Sequence, residues 1–162
     1  MKRLIVKVCL LVVSTTMLLS TSAVAQGLSA DGKAGLSIFS GGGSSTGLLF
    51  GGGIDFPITK SLYARPELNI TTHAGTPIEI AGELKYYIPS SMKPSLYVDG
   101  GLGIWFRSGG SSLGLDFGGG AIFPIEGAKF SIPAEIRLGP VFESGSTAFQ
   151  IGLTTGIRFG IN

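Results

Sequence analysis

The chain has 162 residues, of which 27 are Gly and only 14% are charged, a composition unusual for a water-soluble domain. Twelve Lys and Arg stand against ten Asp and Glu, for a formal net charge of +2. The basic excess sits in the first seven residues, and residues 26–162 carry nine basic and ten acidic side chains. Nothing in that balance argues for a nucleic-acid binder or a basic membrane-surface module.

The N-terminus carries Lys2, Arg3 and Lys7, then an apolar run, then Ala23-Val24-Ala25. This is the pattern of a secretory signal cleaved after residue 25. Ser14, Thr15, Thr16 and Ser20 shorten the run below the roughly 20 apolar residues a transmembrane helix needs. The one cysteine, Cys9, lies inside the signal. The mature chain is therefore expected to have no disulfide and no thiol chemistry. Residues 26–162 are expected to form a single domain.

Turn signals divide that domain into eight strand-like segments: 33–40, 46–58, 62–72, 77–88, 95–107, 112–125, 130–143 and 149–162. Each alternates with a period of two, the signature of an extended strand with two different faces. In the last segment one parity reads Phe149, Ile151, Leu153, Thr155, Ile157, Phe159, Ile161 and the other Gln150, Gly152, Thr154, Gly156, Arg158, Gly160. The fourth segment sets Ile78, Ile80, Leu84 and Tyr86 against Glu79, Glu83 and Lys85.

Two kinds of connection alternate. One is rich in Gly, Ser and Thr. The other carries a Pro at the turn, at Phe56-Pro57, Ile88-Pro89 and Phe123-Pro124. The near-regular spacing of these prolines is a weak internal repeat of hairpins and favours an up-and-down meander.

Alternation alone does not say which face is inside. A soluble lipocalin-like barrel would bury the apolar face, and a membrane barrel turns it outward. Three features favour the membrane. The polar parity is rich in Gly, including Gly51, Gly53, Gly101, Gly103, Gly118 and Gly120. Gly weakens a water-exposed strand but suits a narrow lumen that seats small residues beside large ones. Aromatics gather near both ends of the apolar parity, as in two interfacial belts. The charges lie on the polar parity in mid-strand, where they can pair.

The expected architecture is an all-β, eight-stranded antiparallel up-and-down transmembrane barrel, its backbone groups satisfied by closure. Eight strands leave an interior that side chains can fill. The expected lumen charge network comprises Arg65, Glu67, Glu79, Glu83, Lys85, Asp99, Arg107, Asp116, Glu135, Arg137 and Arg158. Trp105 is read as filling the lumen mouth.

The single histidine, His73, is the candidate base for nucleophilic catalysis. Ser108, Ser111 or Ser112 could approach it, with Glu79 as orienting group, but no motif fixes such a triad. The glycine runs have no strand–loop–helix context and are not phosphate loops. No catalytic residue, cofactor or metal ligand is assigned.

On this architecture, on the Phe56-Pro57-Ile58-Thr59-Lys60-Ser61-Leu62-Tyr63 hairpin and on its C-terminus, the chain resembles the small eight-stranded outer-membrane barrels of Gram-negative bacteria, the opacity-protein-like group with a porin-like β-barrel domain. The resemblance implies an outer-membrane location, lipid as the surrounding partner, and handling by periplasmic chaperones and the barrel assembly machinery. Thr154, Gly156, Phe159 and Ile161 look like the terminal assembly signal of that group. The expected function is that of a non-enzymatic, monomeric barrel serving envelope structure or surface interaction. A small-solute channel and a lipid-modifying enzyme are the alternatives.

Overall fold

A computed structural model describes residues 27–161 except 42, 92 and 144. The signal segment lies outside these residues. Eight strands follow in chain order: β1 (Leu28–Ser40), β2 (Ser44–Pro57), β3 (Leu62–Thr71), β4 (Ile78–Tyr87), β5 (Ser95–Arg107), β6 (Gly110–Pro124), β7 (Phe130–Glu143) and β8 (Ser146–Ile161). Each pairs antiparallel with the next, and β1 pairs with β8 from Leu28↔Ile161 to Ser40↔Phe149, closing the barrel. Closure removes the edges, which hydrocarbon does not tolerate. The expected meander and its pairing of first and last strands are what the structure has.

The burial pattern settles which face is inside. In β4 exposure alternates residue by residue, with Glu79, Ala81, Glu83 and Lys85 buried and Ile78, Ile80, Leu84 and Tyr86 exposed. Among the described residues 31 large hydrophobic side chains are exposed, and most buried side chains are polar or charged. In water this inversion would cost about 25 cal/mol for each Å² of apolar surface left wet. In a bilayer the same surface is at home. Phe50, Phe106, Phe142 and Phe149 ring one end of the exterior, and Tyr86, Phe123, Phe130 and Phe159 ring the other.

The glycines of the lumen parity make room for large partners. A Cβ on Gly53 would stand 2.7 Å from Arg65 Cζ, and one on Gly120 would stand 2.5 Å from Tyr97 Oη. A narrow barrel can hold a guanidinium or a phenol in mid-lumen only where the facing strand has no side chain.

One boundary differs in a way that matters. β1 begins at Leu28, not at residue 33. Asp31-Gly32 reads as a turn, but in the barrel Gly32 lies opposite Gly52 in a continuous ladder. The shift adds Asp31 to the lumen parity beside Lys33, and neither is in the expected network.

Candidate functional site

Among the described residues, buried charged side chains converge in the lumen, which is organised in layers. Nearest the chain ends, Arg65 on β3 is a hub. Its Nη1 donates to Asp31 Oδ2 (2.6 Å) and Asp55 Oδ1 (2.8 Å), its Nη2 to Asp31 Oδ1 (2.7 Å), and its Nε to Glu67 Oε2 (2.8 Å). Arg158 on β8 reaches Asp55 Oδ2 and Ser29 Oγ, each at 2.5 Å. Tyr87 Oη donates to the same Asp55 oxygen at 3.1 Å.

Glu67 passes the network to the next layer. Its Oε1 faces Arg137 Nη1 at 2.6 Å and Lys33 Nζ at 2.8 Å. Arg137 also contacts Glu83 (2.8 Å) and Glu135 (3.1 Å), and Lys33 reaches Glu135 at 2.7 Å. Lys85 sits 4.2 Å above the Tyr97 ring centroid, while Tyr97 Oη donates to Glu135 Oε2 at 2.8 Å. Arg65 and Glu67 are almost completely buried. A charge so far from water is tolerated only when its hydrogen-bonding capacity is met, and bidentate guanidinium–carboxylate contacts meet it best. The cavity between Arg65, Lys85, Tyr97 and Glu135 is about 10 Å³, room for about one water.

Towards the opposite end the chemistry changes. Asn69 Nδ2 donates to both Glu67 Oε1 and Glu79 Oε2 at 2.7 Å. Beyond it the lumen is stopped by Trp105, fully buried and packed with Phe39, Val141 and Ala148. Phe39 meets Trp105 edge-on at 5.3 Å and His73 at 4.8 Å. Outside this plug Arg107 pairs with Glu143, each side chain 29% exposed, and its guanidinium lies 5.2 Å from the Phe39 ring.

All eleven charged residues expected in the lumen therefore sit on its face, but not in one network. Arg65, Glu67, Glu83, Lys85, Glu135, Arg137 and Arg158 are joined by ion pairs. Asp99, Glu79 and Asp116 face the lumen without an ion-pair partner within 4.0 Å among the described residues, and Arg107 belongs to a separate pair at the rim. Lys33, Asp31 and Asp55 complete the network. Asp31 lies before the expected start of β1, whereas Lys33 stood at the first position of the expected segment without being assigned to the network.

The expected environment of His73 needs correction. It is buried within the 72–77 connection, and its Nδ1 shares a hydrogen bond with Ser45 Oγ at 3.0 Å, not with Ser108, Ser111 or Ser112. Burial pulls its pKa below the ordinary histidine value. Nε2 has no partner among the described residues, and Glu79 is engaged by Asn69. Among the described residues no carboxylate is hydrogen-bonded to the ring as the orienting group of a serine relay would be. Thr154 and Gly156 of the expected assembly signal face the lumen, and Phe159 and Ile161 face outward.

No protein-family model matches the sequence, and no curated protein matches it. Solved structures do. Neisserial surface protein A superposes with a TM-score of 0.72 at 14% identity, over 84% of this chain and 98% of that one. The chain has the fold of the small eight-stranded outer-membrane barrels. The N-terminal β-barrel domain of Pseudomonas aeruginosa OprF also matches, with a TM-score of 0.54 at 15% identity, over 81% of this chain and 97% of that one. At such identities the likeness is one of backbone architecture, and the lumen residues have to be read on their own terms.

Proposed function

We propose that this protein is a non-enzymatic integral barrel of a Gram-negative outer membrane, with a lumen sealed by its own side chains and a role in envelope structure or surface interaction. The observation that carries the reading is the pairing of a lipid-compatible exterior with a lumen stopped at two levels, by ion pairs around Arg65 and Arg137 and by the Trp105 plug. The solved neighbours, one of them named a surface protein, support the location more than the role. Connections at the plug end span only residues 41–43, 72–77, 108–109 and 144–145, too short for a broad adhesive surface. Envelope structure is therefore favoured within this reading.

The barrel acts as a monomer surrounded by lipid, delivered by periplasmic chaperones and recognised by the assembly machinery through Thr154, Gly156, Phe159 and Ile161. Membrane fractionation tests the location. Recovery with the outer membrane after urea washing is expected, and recovery in soluble periplasm would overturn the reading.

A further inference from the structure

The three turns at the end where β1 begins and β8 finishes share a pattern that the other end lacks. Each continues the lipid-facing parity one step past an aromatic residue and ends on an exposed isoleucine: Phe56 to Ile58, Tyr86 to Ile88, Phe123 to Ile125. These isoleucines are 55%, 43% and 39% exposed. Each turn then carries one exposed lysine, Lys60, Lys93 or Lys129. None of the three lysines forms an ion pair among the described residues. The only acidic residue in these turns is Glu126. At the plug end the connecting segments carry no Lys, Arg, Asp or Glu at all, and the rim pair Arg107–Glu143 neutralises itself.

We propose that the rim at the chain ends is a binding surface for anionic phospholipid headgroups, with Ile58, Ile88 and Ile125 seated in the acyl-chain boundary and Lys60, Lys93 and Lys129 on the phosphates. The proposal rests on the membrane-barrel reading. An isoleucine beyond the aromatic belt has a place only if hydrocarbon reaches it, so a soluble polyanion does not explain the pattern. An acidic protein partner would call for one contiguous basic patch. Here the lysines are dispersed around the rim, one turn for every two strands, as a ring of lipid would require. Lysine stems lie along apolar surface and carry the ammonium outward to the headgroup level, where attraction to anionic lipid is strongest. An exported chain enters the outer membrane from the periplasm, and an eight-stranded meander brings the start of β1 and the end of β8 to one rim, which we assign to the side of entry. The surface therefore faces the phospholipid leaflet.

The test is lipid selectivity of the full chain in vesicles of equal phosphatidylcholine and phosphatidylglycerol. The barrel is extracted in mild detergent and its retained lipid is quantified. Phosphatidylglycerol is expected to be enriched about fivefold or more, the factor for about one lysine contact with an anionic surface. The combined Lys60→Gln, Lys93→Gln and Lys129→Gln variant should lose the enrichment, and the corresponding Lys→Arg variant should keep it. Each single Lys→Gln change should lower it part-way, which keeps the test decisive if the combined variant does not insert. Equal enrichment in parent and Lys→Gln chains, or none in the parent, would overturn the proposal while leaving the barrel reading intact. Failure of the parent to insert into either lipid would instead overturn the barrel reading. For orientation, Lys60→Cys should react with an impermeant maleimide only after the outer membrane is permeabilised. Labelling in intact cells, above the parent background, would place this rim outside and contradict the assignment.

Discussion

The two halves of the lumen are closed by different physics. Near the chain ends, Arg65, Arg158, Arg137, Lys33 and Lys85 are interleaved with Asp31, Asp55, Glu67, Glu83 and Glu135, and almost every donor meets an acceptor. Near the opposite end, Trp105 and three apolar side chains around it, Phe39, Val141 and Ala148, close the same bore by shape. The comparison teaches that the polar closure is the less forgiving. Each buried charge has a large desolvation cost that only its partners offset, so one deletion leaves several groups uncompensated. The aromatic plug loses only packing and transfer energy when it is cut back.

That contrast can be broken by substitution. Arg137→Ala removes the cation shared by Glu67, Glu83 and Glu135, and the expected loss of unfolding free energy in detergent is about 3–5 kcal/mol. Trp105→Ala opens the plug and should cost about 3 kcal/mol. Its mechanism differs, so a small aromatic or aliphatic replacement such as Trp105→Leu should recover part of the loss, whereas Arg137→Met should recover little while the three carboxylates remain. Equal rescue of both positions in urea titrations would erase the proposed difference between the halves.

On the exterior, Ile136→Arg places a charge on the lipid face and should cost about 2–4 kcal/mol in vesicles. The rim pair is the weak limit of the series. Arg107→Ala should cost under about 1 kcal/mol, since both partners are partly in water, and Ser111→Ala, at an exposed position, should be silent within about 0.5 kcal/mol. Equal midpoints for Arg137→Ala and Ser111→Ala would contradict the account of the network.

The smallest effect expected is that of pH on His73. Its folded pKa is depressed by burial, so the neutral ring is the form the fold prefers. Stability should be unaffected well above the ordinary histidine pKa of 6.5 and should fall as pH drops through that value, because the unfolded chain binds the proton more readily. His73→Asn should remove this increment of the pH dependence, and comparison of the two chains' pH-stability curves checks it.

Period-two alternation made strands, strand order and lumen face legible from the residues alone, because lipid and a packed lumen are opposite solvents. β5 and β7 read correctly to their end residues, since a turn residue or a change of parity marks each boundary. β1 did not, because Asp31-Gly32 mimics a turn when the ladder to Gly52 is unknown. Partners inside the lumen were legible only as a set. Lys33 meets Glu135 across 102 positions of sequence, a contact fixed by the stagger of the closed barrel. The Ser45–His73 bond likewise depends on the start of β2 meeting the 72–77 connection at the mouth, and nothing local in either segment announces it.

The central claim is that the lumen is filled. Planar-bilayer recording of the refolded barrel tests it most directly. The account predicts no stable conductance for the parent chain and openings only when the plug and the network are cut together, as in Trp105→Ala combined with Arg137→Ala. Steady ion-sized openings in the parent chain would contradict it.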